Sequence, residues 1–224
     1  MISLTSINQS EALRYLNYGN NRPDEKIQAI IDKCEKKILE TIKPRYIYKV
    51  FDISFMPDGV HAIGSTLVLK GNDIAQHLKG CEKAVLMCAT LSADIDMLIR
   101  NAQIDDMTEA VIYDSLASVC IEQLCDSVED EIHERLPEYF HTWRYSPGYG
   151  DLPIDIQPQF VEVMNAGKRI GLCVTDTDML TPKKSVTAVI GLSRNQINQK
   201  KRGCQTCSMR DKCQFRKKGE RCEF

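Results

Sequence analysis

The chain has 224 residues, of which 43% are hydrophobic and 27% charged, with a formal net charge of -2. This is enough chain for one large domain, or a domain with an appendage, and enough apolar residue to bury a core. The balance excludes a nucleic-acid binder that works by bulk charge, and the longest apolar runs, such as AVLMC at 84–88, fall far short of the roughly 20 residues a membrane helix needs.

The charge is unevenly placed. Residues 199–224 hold nine Lys/Arg against three Asp/Glu, whereas the other 198 residues hold 20 against 28. An acidic body of 1–198 therefore ends in a basic tail of 199–224, with the composition breaking near 195–201. The opening MISLTSINQSEALRYLNYG has neither an apolar core nor a cleavage-like site of a signal peptide. The expectation is a cytoplasmic protein whose ten cysteines stay reduced.

In chain order, RPDEKIQAIIDKCEKKILETIKP puts Ile27, Ile30, Ile31, Cys34, Ile38 and Ile42 at helical spacing, with Pro23 before and Pro44 after. RYIYKVFDISF, rich in aromatic and β-branched residues, predicts a strand over 45–55. MPDG makes a turn, and IGSTLVLKG predicts a second strand over 63–71. A short helix is expected over 72–78, a buried strand over 83–91 and a helix over 92–102. The longest helical pattern spans 105–136; it is broadly apolar, hence central, and Pro137 ends it. A helix over 157–166 and strands over 169–174 and 185–193 complete the body. Strands and helices mix without regular βαβ repeats. The expected fold class is therefore α+β: a mixed or antiparallel sheet with flanking helices, one of them long and central, plus a small Cys-rich C-terminal tail.

One stretch between the elements stands out, RYSPGY at 144–149, continued by GDLP. Pro147 fixes φ and Gly148 tolerates positive φ, which favours a type II turn, and Ser146 is pushed extended by the proline after it. A glycine in such a turn lets a ligand approach the backbone. Arg144 offers a planar fork suited to a carboxylate, and Tyr149 adds a directed hydroxyl. A rigid surface turn with an arginine nearby is the other reading, and spacing alone does not separate the two.

The tail arranges Cys204, Cys207, Cys213 and Cys222 as C-x2-C-x5-C-x8-C. Four thiolates so close suit a tetrahedral zinc or an iron–sulfur cluster, with reduced free thiols as the alternative. Cys34, Cys81, Cys88, Cys120, Cys125 and Cys173 lie in apolar segments and read as small buried hydrophobes. His61, His77, His133 and His141 show no metal spacing and suit surface or capping roles. EDEIHE at 129–134 reads as a solvated helix face, and Asp176 and Asp178 as loop acids.

The R-x-S-P-G-Y element at 144–149 resembles the R-P-A-P-G-Y element of the activation domain of cobalamin (vitamin B12)-dependent methionine synthase. The likeness extends over about residues 10–195: LCDSVEDEIHERL resembles the long helix before that element, MLTPKKSVTAVIGLS the strand region after it, and EALRYLNYG with the cysteine tail the short free-standing members. The resemblance implies S-adenosylmethionine (AdoMet) as ligand, with Arg144 on its carboxylate and Ser146, Pro147, Gly148 and Tyr149 supplying backbone and ring contacts. It also points to acids that fall, by ungapped counting, at Asp126 and Glu138. It implies reductive methylation of a corrinoid cobalt held by a partner, a methionine synthase or a related corrinoid protein, with an electron donor such as flavodoxin or ferredoxin. Full-length members have Glu where Asp126 stands and a tyrosine beyond the last strand that 194–201 lacks. A different class of reading is a metal-stabilised binding module whose basic tail contacts nucleic acid or a redox partner.

Overall fold

The computed structural model describes residues 2–18 and 21–197. It is an α+β fold in three layers: helices, a six-stranded antiparallel sheet, and shorter helices on the opposite face.

Local signals set most of the elements. Helix α1 (Gln9–Tyr15) starts at Asn8, whose side chain caps it. Helix α2 (Glu25–Thr41) begins where the Asp24 side chain accepts from the Ile27 amide, and it buries Ile31, Cys34 and Ile38 at spacings of three and four. Strand β1 (Arg45–Met56) is long enough to serve two neighbours. It pairs with β2 (Gly59–Ala62) over 53–56 and with β4 (Lys83–Thr90) over 45–52. Strand β3 (Val68–Leu69) and helix α3 (Asn72–His77) lie between β2 and β4 in the chain.

Helix α4 (Ala93–Asp105) leads into α5 (Met107–Arg135), a helix of 29 residues whose first turn is capped by Asp106 accepting from the Thr108 and Glu109 amides. The chain then crosses to edge strand β5 (Phe140–His141). After a loop, one turn of 3-10 helix (Ile154–Ile156) precedes α6 (Gln157–Met164), α7 (Ala166–Ile170), the small pair β6 (Cys173–Val174) and β7 (Leu180–Thr181), and finally β8 (Ser185–Ser193). Sheet order is β3-β2-β1-β4-β8-β5.

The two central strands, β4 and β8, are buried on both faces, so their sequences read as apolar runs rather than alternations. On one face Val85, Met87, Ala89, Ala188, Ile190 and Leu192 pack against α1, α2, α4 and α5. On the other, Ala84, Leu86, Cys88 and Val189 meet Ile74 of α3, Phe160 and Met164 of α6, and Ile170 of α7. Burying a side chain such as Phe160 or Leu86 completely stabilises by about 1.5–3 kcal/mol. Helix α5 is apolar around much of its girth because it touches the sheet and three helices at once.

Four sequence expectations are corrected. The strand expected over 63–71 is a turn followed by the two-residue β3, because Gly64 takes a φ of 82° and Ser65 folds back on Ala62 through backbone and side chain. The strand expected over 169–174 begins as helix: Ala166–Ile170 stay helical until Gly171, at a φ of 74°, ends the turn, and only Cys173–Val174 extend. Cys173 is consequently exposed, unlike the other five body cysteines. His77, expected in a surface or capping role, is buried in the last turn of α3.

Candidate functional site

Beyond β5 the chain continues along β8 as an irregular edge. The Thr142 amide donates to the Gly191 carbonyl (2.9 Å), the Tyr145 amide to the Val189 carbonyl (2.9 Å), and the Val189 amide back to Tyr145 (2.8 Å). Successive side chains of such a segment face opposite ways. Arg144 thus reaches toward α5, while Trp143 and Tyr145 join the core under α3 and α6.

The turn that follows has the geometry the dipeptide demands. The Tyr149 amide donates to the Ser146 carbonyl (3.1 Å) and Gly148 has a φ of 90°, which is a type II turn. Pro147 is buried, whereas Gly148 and Tyr149 are exposed. A Cβ built on Gly148 would meet only the Ile154 Cδ1, at 3.8 Å, so the space above the turn is open. The Gly148 and Leu152 amides close the next turn onto Leu152 and Tyr149 carbonyls.

A second set of contacts fastens this loop to the body. Asp151 accepts from the amides of Asn72 (2.6 Å) and Asp73 (2.9 Å), the first residues of α3. The helix has Gly71 at its N-cap and no side-chain cap of its own, so Asp151 supplies one from across the fold. The approach is close: a Cβ on Gly71 would lie 2.4 Å from Asp151 Oδ1, and one on Gly150 would lie 2.3 Å from both Asp73 Oδ2 and the Tyr145 hydroxyl. The Tyr145 hydroxyl donates to the Tyr149 carbonyl (3.1 Å), and His77 Nε2 lies 2.9 Å from the Trp143 carbonyl with its ring edge-on to Trp143. Burial lowers the His77 pKa to about 4, against the small upward pull of that carbonyl, so the ring is neutral at pH 7 and its Nε2–H donates to the carbonyl.

Arg144 is 6% exposed and meets three carboxylates of α5. Its Nη1 donates to Asp126 Oδ1 (2.8 Å) and lies 3.1 Å from Glu129 Oε1, and its Nη2 donates to Glu122 Oε2 (3.0 Å). Residues 122, 126 and 129 follow one another at spacings of four and three, which aligns them on one helix face. Burial works against the guanidinium charge, but Glu129 and then Asp126 outweigh it and hold the pKa above its ordinary value. A ligand carboxylate taken by Arg144 therefore has to compete with carboxylates of the chain itself.

The structure thus joins Arg144 to Asp126 and sets Ser146, Pro147, Gly148 and Tyr149 in one turn directly after it. Glu138 is exposed in the connection before β5 and is not among the acids on Arg144. Three residues that sequence reasoning missed are Glu122, Glu129 and Asp151. Glu129 in particular is not part of a solvated face: its side chain is 22% exposed and faces Arg144. Glu131 of the same stretch takes hydrogen bonds from Tyr46 and Tyr48. The available signal was the i, i+4, i+7 row of acids on a helix that precedes a lone arginine.

Among the described residues no group of three or more His, Cys, Asp or Glu could hold a metal ion, and no helix is long and apolar enough to cross a membrane. Cys204, Cys207, Cys213 and Cys222 lie outside the described residues.

No family model and no curated protein matches the sequence. Among solved structures, the chain is similar to the MetH reactivation domain bound to AdoHcy, with a TM-score of 0.63 and 15% identity, covering 96% of this chain and 82% of that one. At that identity the likeness is one of fold. The chain has the fold of the MetH reactivation domain.

Proposed function

We propose that the chain is a reactivation subunit for a cobalamin-dependent methionine synthase or related corrinoid protein, binding AdoMet and presenting its methyl group to the corrinoid cobalt. The observation that carries this reading is the edge segment 144–153. There a buried arginine and an open Pro-Gly turn are held rigid on a fold shared with a domain solved with AdoHcy bound. Arg144 is assigned to the ligand carboxylate. The Ser146 and Gly148 backbone and the Tyr149 ring are assigned to its nucleoside end, with Pro147 fixing the turn. Asp126 and Glu138 are the acids assigned to its polar groups, Asp126 from beside Arg144 and Glu138 from the connection before it.

The partner's corrinoid, reduced by one electron from a flavodoxin- or ferredoxin-type donor, would supply the nucleophile that accepts the sulfonium methyl, with AdoHcy as the leaving product. The chain's residues are then needed to orient the ligand and exclude water, not to move a proton. Cys204, Cys207, Cys213 and Cys222 are proposed to hold an iron–sulfur cluster or zinc, the former as a route for that electron. Anaerobically purified protein should be brown with bound iron. Colourless protein with one zinc would remove the electron route.

The test of the main reading is calorimetric titration of AdoMet into wild type and Tyr149→Ala. Truncating Tyr149, which is half exposed, leaves the core intact. Wild type should bind, and the variant should bind about tenfold more weakly, as expected for loss of one stacking ring. Arg144→Ala is a poorer probe because it leaves three carboxylates facing one another. Absence of binding by wild type would refute the reading.

A further inference from the structure

We infer that the buried hydroxyl of Tyr145 is a positioning group: it fixes the backbone of Tyr149 and, through it, aims the exposed Tyr149 ring at the ligand. The inference rests on the AdoMet reading above and names the side chain that sets the geometry of that site. The hydroxyl belongs to this chain, since the R-P-A-P-G-Y element that 144–149 resembles has proline at the second place.

The sheet places the hydroxyl. Tyr145 is 6% exposed, and its backbone is tied to Val189 of β8 through both its amide (2.9 Å) and its carbonyl (2.8 Å). Its ring packs among His77 and Trp143, with ring centres 5.0 and 5.3 Å away. A side chain anchored at its root and enclosed along its length brings its end to one point. Burial, then the charges of Asp73 and Asp151, push its pKa up to about 12, so the hydroxyl keeps its proton at neutral pH and donates.

That end meets the turn. It donates to the Tyr149 carbonyl (3.1 Å), which also accepts from the Leu152 amide (3.0 Å), while the Tyr149 amide donates to the Ser146 carbonyl (3.1 Å). Both planar peptide groups flanking the Tyr149 Cα are therefore held, and together they fix the direction of its Cα–Cβ bond. The Tyr149 ring is 49% exposed, yet it stands edge-to-face with the Tyr145 ring, centres 6.2 Å apart, which limits its rotamers. Gly150 makes the contact possible. At a φ of 53°, a Cβ on it would lie 2.3 Å from the Tyr145 hydroxyl, so the chain passes that hydroxyl only as glycine. A ring already held in one orientation stacks on a nucleoside at lower entropic cost than one that binding must order.

The test uses Tyr145→Phe in the full chain. The variant keeps the ring and removes only the hydroxyl, and the Leu152 amide still satisfies the Tyr149 carbonyl, so the fold survives. Without ligand, hydrogen exchange at the Tyr149 and Leu152 amides should be about fivefold faster in the variant, as expected for loss of one hydrogen bond, with the Asn72 and Asp73 amides unchanged. AdoMet is then titrated calorimetrically across the cycle of wild type, Tyr145→Phe, Tyr149→Ala and the double variant. Tyr145→Phe should weaken AdoMet about fivefold beside Tyr149 and hardly at all in the Tyr149→Ala background, because it acts through that ring. A hydroxyl that only stabilises the fold would lower Tm and leave affinity alone. Equal affinities of wild type and Tyr145→Phe, or the same loss in both backgrounds, would overturn the inference and leave AdoMet binding standing. Failure of wild type to bind AdoMet would refute the AdoMet reading, and exchange at Tyr149 and Leu152 unchanged by the variant would separately overturn the hold on the turn.

Discussion

Asp151→Ala separates a loop that merely sits on the surface from one that is built into the fold. The carboxylate accepts two backbone hydrogen bonds, 2.6 and 2.9 Å long, from the first amides of α3, and no side chain of that helix can replace it because its N-cap is Gly71. Losing a helix cap costs about 0.5–2 kcal/mol. Two bonds to one carboxylate argue for the upper half of that range, and the exposure of Asp151 pulls the figure down, so about 1.5 kcal/mol is expected. For a domain of this size that is a fall in Tm of roughly 3–6 °C. Asp151→Asn keeps one acceptor oxygen and should lose about half as much. Thermal unfolding gives the stability change, and hydrogen exchange at the Asn72 and Asp73 amides gives its location. Unchanged melting with unchanged protection at those two amides would refute the capping role, and with it the claim that the 144–153 loop is held by α3.

Other perturbations probe other contacts. Arg144→Ala removes the counter-charge of Glu122, Asp126 and Glu129 and should destabilise by about 2–3 kcal/mol at pH 7. The loss should shrink below about pH 4, where free carboxylates become protonated. Denaturant titrations at both pH values check this, and an equal loss at both would refute the charge explanation. His77 stays neutral in the fold with a pKa near 4, against 6.5 for the free side chain. Between those values the unfolded chain binds the extra proton, so stability is full above pH 6.5 and falls as pH drops toward 4 by roughly 3 kcal/mol. The difference in stability between wild type and His77→Phe should follow that window, and a pH-independent difference would count against it. Gly191→Ala puts a Cβ 2.5 Å from Cys81 Sγ and 2.9 Å from both Leu78 Cδ2 and Thr142 Cγ2, and should cost about 1–3 kcal/mol by overpacking. A variant as stable as wild type would show that β8 can shift to make room.

How much could be read in advance varied with the range of the interaction. The 3.6-residue pattern between Pro23 and Pro44 located α2, the apolar run 83–91 located β4, and the pattern ended by Pro137 located α5, all within a few residues. The Pro147–Gly148 turn was legible too, since two residues fix its dihedrals. The strand expected over 63–71 failed where one glycine took positive φ, and that over 169–174 failed because Arg169 and Ile170 suit a helix turn as well as a strand once Gly171 can end it.

The sequence by itself determined the long elements α2, β1, β4, α4, α5 and β8 and the segment most suited to a ligand, because each depends on residues within a few turns of one another. Only the tertiary structure decided what that segment touches. Arg144 meets acids 18 and 22 residues earlier, and Asp151 caps a helix that begins 79 residues before it. His77 is buried by Trp143 and Tyr145 from the far edge of the sheet. Periodicity reports which side of an element is buried, but not which element covers it. The partner of a charged or capping side chain is set by strand order and crossovers, and these juxtapose residues that no local pattern relates.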